Sequence, residues 1–164
     1  VAVRPIRLYP DPILKERAKP VSLDDPTLPG LIQDMLDTLE ASPGVALAAP
    51  QIGRLLQVIV VDVTRKNGET SHGLVVLLNP RIVDQDDRRL IREGCLSVPD
   101  YTGNVLRYGK TVVEGLTPEG RTRTLITSDL EALAFQHEVD HLNGTLFLDR
   151  IQSLSTDLFR RKQR

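Results

Sequence analysis

Two histidines four residues apart, with a glutamate beside the first, form the segment His137-Glu138-Val139-Asp140-His141. On a helix, side chains at i and i+4 share a face, so both imidazoles can converge on one metal ion. Glu138 then stands where a carboxylate can take a proton from a water polarised by that ion. A charged helix with two incidental histidines would show the same bare pattern. Here, however, Leu130, Leu133 and Ala134 occupy the face that continues into His137 and His141, the face expected to turn toward the core. Two His and a Glu aimed at an apolar interior need partners, because unpaired burial is costly.

Catalytic metal sites usually hold three protein ligands and one open position, so a third donor is required. A His six residues after the second His would serve, but that position is Phe147, and no Glu follows Glu138. Asp149 and Asp157 are weak candidates, and His72 sits beside Ser71 and Gly73 in an expected turn. The single cysteine, Cys95, is the best remaining donor, although a lone Cys is often just a small buried hydrophobe. It lies in Glu93-Gly94-Cys95-Leu96-Ser97-Val98-Pro99, where Gly94 allows close backbone approach and Pro99 fixes the chain beyond. A thiolate beside two imidazoles suits Fe(II), Zn(II), Ni(II) or Co(II).

These residues need elements to position them. Apolar residues at helical spacing predict a first helix over 28–41, stopped by Pro43-Gly44. The small, uncharged run Gly44 to Gly53 reads as a loop lying close to another surface. Strands are expected over 57–63 and 74–78, joined by a hairpin turn at Asn67-Gly68, and again around 82–83, 105–113 and 121–126. Thr117-Pro118-Glu119-Gly120 reads as a type I turn. The histidine-bearing helix should run over 128–142, with Ser128 and Glu131 as a capping box and Gly144 as its stop. A short helix is expected over 154–164. The arrangement predicts an α+β fold, with antiparallel or mixed β-sheets packed around a central HExxH-bearing helix.

The chain has 164 residues, which suits one domain spanning 1–164. A net charge of -1 offers no general attraction to nucleic acid or an anionic membrane. No apolar run approaches the ~20 residues that span a bilayer. One cysteine, with no secretory-type apolar stretch after Val1, favours a reducing compartment. The expectation is a cytoplasmic protein of bacterial type, or an organellar one if a targeting segment has been removed.

Three segments in order resemble the peptide deformylase family: Gly44 to Gly53 (its GxGLAAPQxG motif), Glu93 to Pro99 (EGCLS, an aliphatic residue, Pro) and Gln136 to Gly144 (QHExDHLxG). The resemblance extends to the opening Tyr9-Pro10-Asp11-Pro12 and covers nearly the whole chain. It departs at Ala46, which stands where the family has its second Gly; a positive φ there would strain Ala.

The resemblance implies removal of the N-formyl group from the initiator methionine of new polypeptides. Cys95, His137 and His141 would hold one divalent ion, physiologically Fe(II). Glu138 would be general base and then acid. The Gln51 amide and the Leu96 N–H would stabilise the oxyanion. Glu93 and Arg107 would pair to support the Cys loop. Backbone near Val45 and Gly94 would pair with the substrate strand beside Ala46. Leu130, Leu133 and Ala134 would line the methionine pocket. N-formylmethionyl nascent peptides would be the partners, with no membrane and no specific nucleic acid. Arg160, Arg161, Lys162 and Arg164 crowd the final residues; on a mobile end they could contact rRNA phosphates, or be an ordinary solvated terminus. A zinc endopeptidase and an inactive peptide-binding homologue remain as alternatives.

Overall fold

The computed structural model describes residues 2–66 and 71–161. The expected Asn67-Gly68 turn, Lys162 and Arg164 lie outside the described residues.

Helix α1 (Leu28–Glu40) buries Leu28, Leu31, Met35 and Leu39 along one face, as their spacing requires. The segment expected as a loop instead forms strand β1 (Ala46–Ala48) and a short helical turn, Ala49–Ile52. Its small side chains give little intrinsic strand preference. Pairing with β2 (Val58–Val61) and complete burial override that weakness. All four residues of β2 are buried because the sheet is covered on both sides here. Val58 and Val60 pack with Leu31 and Met35 of α1. Ile59 and Val61 point the other way, to Phe135 and Ala134 of the second helix.

The expected short strands at 74–78 and 82–83 are parts of one long strand, β3 (Val75–Cys95), interrupted by irregularities near 79–80 and at residue 83. It turns through Leu96-Ser97 into β4 (Val98–Leu116). The turn at Thr117–Gly120 is present, with the Gly120 N–H donating to the Thr117 carbonyl at 2.9 Å. It leads into β5 (Thr122–Ser128). The order β1-β2-β3-β4-β5 is antiparallel throughout, which agrees with the α+β expectation.

Helix α2 (Asp129–Leu142) packs against this sheet, but without the expected capping box. Ser128 makes no side-chain cap bond, and the buried Glu131 carboxylate instead accepts from the His72 backbone at 2.9 Å and meets its ring at 2.7 Å. Two short helices follow, α3 (Phe147–Arg150) and α4 (Leu154–Asp157). The expected terminal helix then gives way to strand β6 (Leu158–Arg160), which pairs antiparallel with Tyr101–Gly103 of β4. Arg160 and Arg161 are therefore held against the sheet and do not belong to a mobile end. Among the described residues no helix is long and apolar enough to cross a membrane.

Candidate metal centre

The end of β3 sets up the site by strand alternation. Glu93 and Cys95 point to one face, toward α2, and Gly94 between them points to the other. The two-residue turn Leu96-Ser97 closes against this end, with Cys95 and Val98 directly opposed. The Ser97 N–H donates to Cys95 Sγ at 3.4 Å, which fixes the sulfur relative to the turn. Across from it, α2 presents His137 and His141 from successive turns.

The three expected ligands come together. Cys95 Sγ lies 3.3 Å from His141 Nε2, which lies 3.1 Å from His137 Nε2. All three donor atoms fall within 4.8 Å of one another. Ligand bonds of roughly 2.0–2.3 Å at tetrahedral angles separate donors by roughly 3.3–3.7 Å, so this constellation fits one ion. His72 and Asp149 are elsewhere, engaged with Glu131 and Lys15, while Asp157 meets Asn104.

Orientation of the ligands comes from their neighbours. The Glu93 carboxylate bonds His137 Nδ1, which leaves Nε2 for an ion. Arg107 grips both Glu93 oxygens, at 2.9 and 2.7 Å, and reaches Asp140 Oδ2 at 2.6 Å. Arg150 covers the other side of Asp140. The expected Glu93–Arg107 pair is thus part of a chain of four charges, of which Glu93, Arg107 and Asp140 are buried and Arg150 is exposed at the outer end. Asp140 and Arg150 were not anticipated; the position of Asp140 between the two histidine turns was the available signal.

Burial pushes the Glu138 carboxyl up to about 7, with the His137 imidazole pulling against it. Its Oε2 lies 4.0 Å from His137 Nε2, and its Oε1 is buried with no protein partner among the described residues. Burial also works against a charged His137. The Cys95 sulfur, Glu138 and Glu93 outweigh it and hold that imidazole well above its ordinary value. His141 is held well below, by burial and by the His137 charge.

Gln51 is fully enclosed, its Oε1 accepting from the Ala48 N–H at 3.0 Å. Its Nε2 reaches Ser97 Oγ at 3.1 Å and Cys95 Sγ at 3.8 Å. An open cavity of about 690 Å³ is lined by Val45, Ala46, Gln51, Gly94, Cys95, Leu96, Leu130, Leu133, Ala134, His137 and Glu138, among others. Leu130 and Leu133 are half-buried and Ala134 is buried; Leu130 packs against the core cluster that contains Ala134, and all three also line the cavity. The Val45 carbonyl is occupied by the Asp62 N–H at 2.7 Å, so it is not free for a further strand. Ala46 lies in paired β1 and has no positive φ, so its methyl group narrows the cavity without backbone strain. Gly44 packs directly on the Leu96 side chain, which a Cβ would meet at 2.9 Å.

A Cys/His/His cluster with a buried carboxylate beside it, at the base of an open cleft, defines the class as a metal-dependent hydrolase. The sequence model described as "Polypeptide deformylase" matches residues 3–157. A peptide deformylase of Syntrophobacter fumaroxidans is 45% identical over 162 residues, which is 99% of this chain and 94% of that one. A peptide deformylase of Heliobacterium modesticaldum is 44% identical, over 93% of this chain and 97% of its own. Among solved structures, a peptide deformylase from Legionella pneumophila superposes with a TM-score of 0.85 at 40% identity, covering 93% of this chain and 88% of that one. The Met-Ala-Ser-bound class I type b peptide deformylase from Acinetobacter baumannii gives 0.84 at 37% identity, covering 92% and 99%. The chain belongs to the polypeptide deformylase family, hydrolases that remove the N-formyl group from newly made polypeptides.

Proposed function

We propose that Cys95, His137 and His141 hold one divalent ion, physiologically Fe(II) with Zn(II), Ni(II) or Co(II) able to replace it, and that the remaining cavity residues carry deformylation. The convergence of these three donors beside the buried Glu138 carboxylate supports this reading most directly. When bound, the ion supplies Lewis acidity and lowers the pKa of a water toward ~7.

Glu138 takes a proton from the attacking water. A carboxylate poised near 7 can both accept that proton and return it, so the same group protonates the leaving amine. The Gln51 Nε2–H and the Leu96 N–H donate to the oxygen that becomes negative as the formyl carbon is attacked. Each such donor contributes on the order of 3 kcal/mol in the transition state. Gln51 can do this because its Oε1 is fixed by Ala48, which leaves its amide no freedom to turn. Glu93 and Arg107 hold His137 and the Cys loop in register.

The methionine side chain would lie along Leu130, Leu133 and Ala134, and the peptide would extend past Gly94 and β1, the end strand of the sheet. The neighbourhood of Val45 pairs with it through groups other than the Val45 carbonyl. An apolar pocket discriminates by only ~1–3 kcal/mol per methylene, so preference for methionine is graded. The Ala46 methyl group and the packed Gly44–Leu96 contact leave room for a formyl hydrogen but not for larger acyl groups. The A. baumannii relative bound to Met-Ala-Ser is consistent with a methionine-led peptide in this cleft.

Such a protein works in the cytoplasm, beside the ribosome that supplies its substrate. Any contact there falls to Arg160, Arg161 and the residues beyond, Lys162 and Arg164, and it should weaken steeply with salt in co-sedimentation. The direct test of the activity is formate release from formyl-Met-Ala-Ser, with bound metal quantified on the same sample loaded anaerobically with Fe(II) or Zn(II). The Fe(II) form should be the more active. A fully loaded protein that releases no formate from any formyl-Met peptide would overturn the mechanism.

A further inference from the structure

The mouth of the cleft carries a charge pattern that deformylation itself does not use. Residue 161 follows β6 directly, and its backbone N–H donates to the Asp100 carbonyl at 2.7 Å. This anchor folds the end of the chain across the Cys loop and lays the Arg161 guanidinium on Gly94, in the space a side chain at 94 would fill. Arg161 therefore lines the same cavity as Cys95 and His137. Arg92, also on the cavity, is fixed by the same terminal strand: its guanidinium carbon sits 3.5 Å from the Phe159 ring centroid, and its Nε donates to Asn104 at 3.1 Å.

Both guanidiniums are exposed, and among the described residues neither pairs with a carboxylate. The acidic residues that line the cavity, Glu93 and Glu138, are buried at its base, and Glu93 is already paired. Arg65 and Lys66 line the cavity as well, so the described residues that line it carry exposed positive charge and no exposed carboxylate. Long cations anchored this way cost less ordering on binding than free surface arginines.

We infer that Arg161, assisted by Arg92, selects formyl peptides carrying a carboxylate side chain in the residues immediately after the methionine. The inference rests on the proposed deformylase reading and adds a specificity determinant to it. With the formyl group at the metal donors and methionine against Leu130 and Leu133, an extended peptide advances ~3.3 Å per residue. Gly94 adjoins the Cys95 ligand, so the guanidinium lying on it flanks the second and third peptide residues. Arg161 is a specificity residue and not a catalytic one: its attraction acts on binding, so it should appear in KM and not in kcat.

The test compares C-terminally amidated formyl-Met-Xaa-Ala and formyl-Met-Ala-Xaa, with Xaa as Glu, Gln or Lys, on metal-loaded full-length protein at low salt. Amidation removes the terminal carboxylate; adding the free-acid forms shows whether that group is selected as well. For at least one position, kcat/KM should favour Glu over Gln by about two- to fivefold, as for an exposed ion pair, with Lys lowest. Arg161→Ala should lower the Glu/Gln ratio, adding Arg92→Ala should bring it close to one, Arg161→Lys should keep most of it, and Arg161→Glu should invert it. High salt should erase the preference in the parent protein. Because each ratio is internal to one protein, a general loss of activity in a variant does not affect it. Equal Glu and Gln values in the parent protein, or an unchanged ratio in Arg161→Ala, would overturn the inference while leaving deformylation intact. Failure to hydrolyse any of the formyl peptides would instead overturn the reading beneath it.

Discussion

Replacing Arg107 with Met tests whether the metal ligands are held by buried charge. Arg107 is 2% exposed and binds Glu93 through two nitrogens and Asp140 through a third. Met keeps the length and apolar volume but leaves two buried carboxylates short of a partner. Glu93 would retain only His137, and Asp140 only Arg150. Removing one member of a buried pair costs roughly 3–5 kcal/mol, because the other charge stays desolvated. For a chain of this size each kcal/mol lowers Tm by about 2–4 °C, so Arg107→Met should melt roughly 6–20 °C lower. Looser aiming of His137 should also weaken metal affinity by about 10- to 100-fold. The assay is urea unfolding of metal-free and metal-loaded protein, with competitive chelation for affinity. Adding Glu93→Gln to Arg107→Met removes one of the two stranded charges, so the pair should be less damaging than the sum of the singles by about 1–3 kcal/mol. A single-variant cost below about 1 kcal/mol, or simple additivity in the double variant, would refute the reasoning.

Glu138→Ala should keep stoichiometric metal and the fold yet lose nearly all turnover, whereas Cys95→Ala should lose metal; tight, full occupancy in Cys95→Ala would remove the thiolate from the ligand set. Ala46→Gly should leave metal content unchanged and shift substrate KM, since position 46 lines the cleft at unstrained backbone; altered metal stoichiometry would count against that placement. Burial would raise the Glu93 carboxyl, but His137 and Arg107 overcome it and hold it at about 2, against 4.5 for the free group. A folded value below the unfolded one means this stabilisation is complete above about pH 4.5 and lost as pH falls through about 2, up to ~3 kcal/mol in the metal-free protein. Urea midpoints measured from pH 5.5 to 2.5 should therefore fall less steeply in Glu93→Gln, and identical slopes would exclude Glu93 as the source.

The sequence carried the centre of this molecule because the determinants there are local. The i, i+4 histidines, the intervening Glu138 and the helical periodicity of α1 are short-range patterns that survive folding unchanged. Strand β1 carries no such local signal, because Ala46-Leu47-Ala48 has little strand preference of its own; its conformation comes from Val58–Val61 on one side and burial on the other. The capping box failed for a related reason. Glu131 had the right spacing from Ser128, but a tertiary partner, the loop at His72, competes for its carboxylate. Asp140 and Arg150 carry no local pattern either, because an ion network joins residues through space, and charge in a sequence gives no sign of burial.

At the chain terminus the gap between local pattern and tertiary structure bears on function. Four basic residues in the last five positions look like a solvated tail, and composition supports nothing more specific. Leu158 and Phe159, just before them, supply a strand, and β4 has an open edge at Tyr101–Gly103 to receive it. Gly103 contributes to that docking by its lack of a side chain: a Cβ there would meet Phe147 at 3.1 Å and the Asp157 carbonyl at 3.2 Å. Once β6 is paired, Arg161 is carried to Gly94 and Arg92 is stacked on Phe159. Pairing of three residues thus brings two arginines far apart in sequence to one cavity. A substitution that prevents docking, such as Gly103→Val, should therefore alter the charge preference among peptides as Arg161→Ala does, although residue 103 is not among those lining the cavity. Retention of the full Glu/Gln preference in Gly103→Val would show that the terminal strand does not position the arginines.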